Sequence, residues 1–251
     1  MPAKKELIRA LLKGIETGDP QSVAIVNEDK YIQHNPLTKT GNVGLAELFK
    51  RLSKMNPKVE IVRVFEDGEF VFAHTDYNFN EEEIGFEVFR FENGLVVEHW
   101  DNLQLKPQGP NLSGHTMLDG EIAANALENT EESRSLIHSF IDTVFLDENF
   151  DRLEHFVDSE SYIEHNPDMA DGIEALRETL VGNEKNRRYD RIHRLLSQGN
   201  FTLCVSEGSL DGVSVSFYDL FRIDNGKIVE HWDTVDKIPP RDQWLNNNGK
   251  F

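Results

Sequence analysis

The sequence predicts an α+β protein built twice, each unit opening with helices and closing with a curved antiparallel sheet. Two repeated strings carry the duplication. Tyr-Ile-Gln-His-Asn-Pro at Tyr31–Pro36 returns 131 residues later as Tyr-Ile-Glu-His-Asn-Pro at Tyr162–Pro167. Val-Glu-His-Trp-Asp at Val97–Asp101 returns unchanged 132 residues later at Val229–Asp233. A shared register of this kind marks a tandem repeat of a domain of roughly 110–130 residues. The third observation is a change of apolar period inside each unit, from helical spacing near its start to alternation near its end. The chain therefore divides into copy one at 1–112, a linker at 113–130 and copy two at 131–251.

The elements follow in order. Leu7, Ile8, Leu11, Leu12 and Ile15 recur at helical spacing over Glu6–Glu16, and Gly18, Asp19 and Pro20 stop that helix. A short helix over Gln21–Val26 leads to the first histidine motif, and a third spans Val43–Met55. Copy two repeats the set with helices over Ser135–Phe145, Asp151–Val157 and Ile173–Gly182. Strands are expected at Val59–Glu66, Glu69–Phe79, Gly85–Phe91 and Leu95–Leu105, then at Tyr189–Ser197, Phe201–Leu210, Val213–Ile223 and Lys227–Val235. Gly68, Asn93-Gly94, Gly199, Asp211-Gly212 and Asn225-Gly226 supply hairpin turns between them. The helices then lie together on one face of each sheet.

Composition narrows the partners. Asp and Glu number 45 against 26 Lys and Arg, a net charge of −19, which disfavours nucleic acid and an anionic membrane surface. No run approaches the ~18 apolar residues of a membrane span, and Lys4 and Lys5 precede an amphipathic helix rather than a signal-type apolar run. Cys204 is the sole cysteine, within an apolar strand, so it reads as a small core residue and fits a reducing compartment. A cytoplasmic protein is expected.

Strand residues two apart share a face. In the last strand of copy one His99 and Asp101 lie with Val97 and Leu103; in copy two His231 and Asp233 lie with Val229 and Val235. One strand earlier, Glu87 shares a face with Phe89 and Phe91, and Asp219 with Phe221 and Ile223. In the short first strand His34 sits with Ile32, and His165 with Ile163. Each half is thus expected to aim two histidines and two carboxylates at an apolar face. Ionised groups in such a place are either mutually satisfied or line a wet pocket. A carboxylate beside a partly buried imidazole suits general acid–base work, and it equally suits a structural hydrogen-bonded pair. Tyr31 and Tyr162 read as packing residues. Large residues on the second face of each sheet, Trp100 and Trp232 among them, predict that the two halves pair through their sheets as an internal pseudo-dimer.

The order of helices, Tyr-Ile-x-His-Asn-Pro, helix, then a curved sheet ending in Asn-Gly-x-x-Val-Glu-His-Trp-Asp resembles the SnoaL-like polyketide cyclase family of the nuclear transport factor 2-like superfamily. The resemblance covers both halves and takes in Ser-Gly-His-Thr-Met-Leu-Asp-Gly at Ser113–Gly120. It implies a cone-shaped α+β barrel with three N-terminal helices and a deep apolar pocket, and aldol-type chemistry that uses acid–base residues and no cofactor. The superfamily also includes isomerases, dehydratases, epoxide hydrolases and domains that only bind. Carried across, the pattern points to His34, Glu87, His99 and Asp101 in copy one and to His165, Asp219, His231 and Asp233 in copy two, with Ile32, His74, Phe89, Ile163 and Phe221 against a bound compound. Copy two keeps the family's Ala170-Asp171-Gly172 where copy one has Lys39-Thr40-Gly41, and copy one has His74 where copy two has Val205.

Three readings stand together at this point. The first is acid–base chemistry beside a carbonyl (a cyclase, isomerase or dehydratase) on a small apolar molecule, with no metal and no cofactor. The second is a pocket that binds without turnover, or a structural module. The third is a metal held by His34, His99 and a carboxylate.

Overall fold

The computed structural model describes residues 2–182 and 187–251. It divides into two compact units, Met1–Lys106 with Ile238–Phe251, and Pro107–Lys237. In the first unit α1 (Lys4–Thr17) ends at Gly18, whose φ of 65° gives the left-handed turn that closes a helix. A 3-10 turn at Pro20–Ile25 begins at Asp19, whose carboxylate accepts from Gln21 N at 2.9 Å. β1 (Ile32–Gln33) and α2 (Gly41–Leu52) follow, then β2 (Lys58–Asp67), β3 (Phe70–Asn78), β4 (Glu82–Glu92) and β5 (Leu95–Leu105). The sheet order is β1-β5-β4-β3-β2.

The second unit repeats this plan. α3 (Thr130–Phe140) runs on into a π turn at Ile141–Leu146, and α4 (Leu153–Phe156), β6 (Ile163–Glu164) and α5 (Ile173–Gly182) follow. β7 (Arg188–Gln198), β8 (Phe201–Leu210), β9 (Val213–Asp224) and β10 (Lys227–Lys237) complete a sheet of order β6-β10-β9-β8-β7. Both units are α+β, with helices against a five-stranded sheet, as the sequence predicts. One detail differs. The short first strand of each unit lies parallel to the last one, so each sheet is mixed rather than wholly antiparallel. Register shifts between Ile61 and Arg63, and between Arg90 and Phe91, bend the first sheet around its helices.

The core lies between helices and sheet. Ile8, Leu11, Leu12 and Ile15 of α1 and Leu45 and Phe49 of α2 close over Val71, Tyr77 and Phe89. Ile137, Phe140 and Val144 do the same over Cys204, Phe217 and Phe221. At about 25 cal/mol per Å² of apolar surface, this burial is the main stabilising term of each unit.

The segments that follow the last strands exchange places. The stretch after β10 packs on the first unit, where Asn246 Nδ2 donates to the carbonyls of Asn35 (2.8 Å) and Thr38 (2.9 Å). The stretch after β5 packs on the second, where Asn111 Nδ2 donates to the Glu164 carbonyl at 2.7 Å. Chain order assigns the tail to copy two; its contacts place it with copy one. No helix among the described residues is long and apolar enough to cross a membrane.

Candidate active site

Strand pairing decides which side chains meet. Ala73, Glu87 and Asp101 share one rung across β3, β4 and β5, and Phe89 lies opposite His99. Gln33 of β1 pairs with His99, so its side chain joins that face. Glu87, His99 and Asp101 therefore converge, with Gln33, Asn35 and Tyr77, on a cavity of about 250 Å³ between sheet and helices. His99 stacks on Phe89 with ring centroids 4.3 Å apart. Its Nε2 donates to Glu87 Oε2 at 2.6 Å and its Nδ1 to Gln33 Oε1 at 3.2 Å. Tyr77 OH donates to the other Glu87 oxygen at 2.8 Å. Burial pulls the His99 value down, but the Glu87 carboxylate outweighs it and the histidine is held above its usual range.

Asp101 differs from Glu87 in what it lacks. Asn35 Nδ2 donates to its Oδ2 at 2.9 Å, while its buried Oδ1 accepts no hydrogen bond. The Lys250 ammonium stands 3.8 Å from Oδ1 and donates to the Asp101 carbonyl at 2.7 Å. Copy one thus presents a carboxylate oriented through one oxygen and unbonded at the other, beside an imidazole whose proton affinity is raised.

The matching face of copy two is built differently. Its cavity, about 540 Å³, is lined by Tyr162, Asn166, Arg187, Tyr189, Phe221 and His231 among others. Asp219 and Asp233 sit behind that lining, 0% and 2% exposed. His231 lies between two carboxylates, with Nδ1 3.0 Å from Glu164 Oε1 and Nε2 3.2 Å from Asp219 Oδ1. Burial lowers its value, but Glu164 and Asp219 raise it to about 10. Burial also works to raise Glu164; His231 and the Tyr162 hydroxyl, which donates to it at 2.6 Å, hold it below its usual range instead. Asp233 is closed off by Asn166 Nδ2 at 2.7 Å and by Arg187 at 3.1 Å. Burial still raises its value, against the pull of Arg187 and His231.

Several expected site residues lie elsewhere. His34 leaves β1 on the opposite face of the sheet, stacked on Trp100 at 4.7 Å with Nε2 2.9 Å from Glu98 Oε1. His165 stacks on Trp232 at 4.5 Å with Nε2 2.9 Å from Glu230 Oε1. Ile32 and Ile163 pair with Glu98 and Glu230 and share that outer face. The apolar neighbour misleads here, because the parallel register with the last strand sets which way a two-residue strand points. The third reading fails with it, since His34 and His99 lie on opposite faces. His74 also faces away, opposite Phe86, with Nδ1 3.0 Å from an Arg63 nitrogen. Phe89 and Phe221 do line the cavities. Sequence reasoning missed Gln33, Asn35, Tyr77, Glu164, Arg187, Tyr189 and Lys250. Gln33 and Glu164 carry a signal in the sequence as the one difference between the two histidine motifs, and Asn35 as a residue the motifs share.

Residues 8–99 match the SnoaL-like domain family. That match spans most of the first unit. The second half repeats its motifs and its order of strands. A comparison with curated proteins gives no match. Among solved structures, a nuclear transport factor 2-like protein of unknown function from Burkholderia xenovorans is 16% identical with a TM-score of 0.41, covering 50% of this chain and all of its own. TsrD from Streptomyces laurentii is 17% identical (TM-score 0.36, 40% of this chain and 87% of that one). A LEH-like epoxide hydrolase of M. tuberculosis is 20% identical (TM-score 0.36, 43% and 85%).

Proposed function

We propose that copy one performs acid–base chemistry beside a carbonyl on a small apolar compound, as an aldol-type cyclase, isomerase or dehydratase, and that copy two binds without turnover. The unbonded Asp101 Oδ1 carries the reading. Asp101 lines a cavity walled by Leu12, Leu45 and Phe89, where water competes poorly for a proton, and this oxygen is buried beside it. Asp101 takes the proton from the carbon next to the carbonyl, and Asn35 holds its other oxygen in place. The negative charge that develops on the carbonyl oxygen lies beside the His99 imidazolium. The enolate carbon then either recovers a proton at a new position, which is isomerisation, or attacks a second carbonyl of the same molecule. In that second case His99 gives its proton to the new alkoxide. Glu87, held by Tyr77, keeps His99 oriented and charged.

Copy two supports binding because its acids are enclosed. Arg187 and Asn166 occupy Asp233, and Asp219, although its Oδ2 is also unbonded, is fully buried and does not line the cavity. Exposed Leu112 and Val181 line its cavity, an apolar wall for a hydrophobic compound.

The test is deuterium incorporation at the α-carbon across a panel of apolar β-diketones and β-keto esters, followed by NMR. Exchange by the wild-type protein is expected to fall about 100-fold or more in Asp101→Asn. Exchange unchanged by that substitution, or binding with no exchange in the wild type, makes copy one a binding pocket as well.

A further inference from the structure

We propose that the segment joining the two copies forms a divalent transition-metal site on the outer face of the second sheet, built from His115, Asp119, His165 and the Thr116 carbonyl. His165 Nδ1 lies 2.8 Å from Thr116 O and 2.9 Å from Asp119 Oδ1. His115 Nδ1 lies 3.3 Å from Asp119 Oδ2, and one ligand atom from each of the three side chains falls within 4.8 Å of the others. Ligands on bonds of about 2.0–2.1 Å sit about 3.3 Å apart around a tetrahedral ion, so each separation in the group is within about 1.5 Å of what such an ion requires.

The far side of each imidazole points the same way. His165 Nε2 lies 2.9 Å from Glu230 Oε1, and Glu230 is itself paired with Arg222. His115 Nε2 lies 3.2 Å from Asp171 Oδ2. A ligating histidine typically donates its other N–H to a carboxylate in this manner, which fixes the tautomer and directs the remaining lone pair at the metal. The tautomer that engages both Nε2–H groups in this way turns two Nδ1 lone pairs, a carboxylate and a carbonyl toward one another, the arrangement a cation would hold together. Asp119 is fixed from two further sides, by Thr116 N donating to Oδ1 at 2.9 Å and by Trp232 Nε1 donating to its carbonyl at 3.0 Å.

Copy one supplies the contrast. Its tail docks as the joining segment does: Asn246 bonds the Asn35 carbonyl as Asn111 bonds that of Asn166. His34 Nδ1 meets the Gly249 carbonyl at 2.9 Å, and among the described residues no ligand cluster gathers around it. One carbonyl there needs only a proton from His34. In copy two a second histidine and a carboxylate have been added. Imidazole with carboxylate and carbonyl oxygen suits Zn²⁺, with Co²⁺ or Ni²⁺ as substitutes. The site lies on the face of the sheet opposite His231, so it stands independently of the cavity chemistry proposed above. Bound metal fastens the joining segment to copy two.

The experiment is titration of the full-length, chelator-treated protein with Zn²⁺ by calorimetry and with Co²⁺ by visible absorption. One equivalent per chain is expected. Affinity falls at least 10-fold in His115→Ala and in Asp119→Asn, with circular dichroism unchanged. It also falls about 10-fold in Asp171→Asn, which leaves every ligand in place. Asp101→Asn, which breaks up the Glu87–His99–Asp101 group, leaves the affinity unaltered. No saturable binding, binding indifferent to His115→Ala, or binding lost in Asp101→Asn overturns the proposal.

Discussion

Copy one places its buried histidine between a carboxylate and an amide; copy two places the equivalent histidine between two carboxylates. Gln33 against Glu164 makes the whole difference. A single neighbouring carboxylate leaves His99 able to give up a proton during a reaction. Two of them raise His231 to about 10, and an imidazolium that keeps its proton near neutral pH is a poor partner for acid–base work. The copies also solve one problem from opposite sides. Tyr77 on β3 reaches Glu87 from a rung where its β2 partner is Val59. In copy two the same rung holds Tyr189 on β7 and Gly208 on β8, and Tyr189 OH donates to Asp219 at 3.1 Å. The cation near the last acid has moved as well, from Lys250 in the tail to Arg187 before β7. What the two copies share is a partner for each buried acid, whichever position supplies it.

The largest effect that sharpens this comparison falls on His231. Its folded value of about 10 stands above the reference 6.5, so its stabilisation is complete below pH 6.5 and is lost as pH rises through about 10. The amount at stake is on the order of a few kcal/mol. Glu164→Gln, which writes the copy-one motif into copy two, should lower the His231 value in an NMR titration and flatten the alkaline loss of urea stability. Gln33→Glu should raise that of His99. If neither titration moves, residue 164 is not what separates the copies.

Next in size is the exchanged rung. A Cβ on Gly208 would stand 2.0 Å from the Arg188 carbonyl and 2.9 Å from Phe217 Cε2. Gly208→Ala should therefore destabilise by about 1–3 kcal/mol in thermal unfolding. A neutral result would mean that the Tyr189 strand is not packed as tightly as this account requires. The smallest effect is a matched one. Tyr77→Phe and Tyr189→Phe each leave a buried carboxylate one donor short, and denaturant unfolding should show comparable losses of about 1–2 kcal/mol. A large loss from one and none from the other would remove the equivalence of the two tyrosines.

Much of this fold was legible because its signals are local. Helical spacing in α1, alternation in the strands and hairpin turns such as Asn93-Gly94, with φ values of 52° and 82°, can be read without any partner. The placement of Glu87, His99 and Asp101 on one face came from strand parity in the same way. What depends on pairing was not legible. His34 points outward because of the parallel register between β1 and β5, set by residues 66 positions apart, as Gln33 and His99 are. Tyr77 and Tyr189 occupy equivalent places only once the rungs are known. Lys250 reaches Asp101 through a tail that docks on the copy farther from it in sequence.

The measurement that tests the central claim most directly is α-proton exchange by the matched pair Asp101→Asn and Asp233→Asn, on whichever carbonyl compound the wild-type protein turns over. Asp101 lines its cavity and keeps one buried oxygen unbonded, while Asp233 is closed by Asn166 and Arg187. The account predicts a fall of about 100-fold or more in Asp101→Asn and a rate within about twofold of wild type in Asp233→Asn. Equal losses in the two variants, or a loss confined to Asp233→Asn, would contradict it.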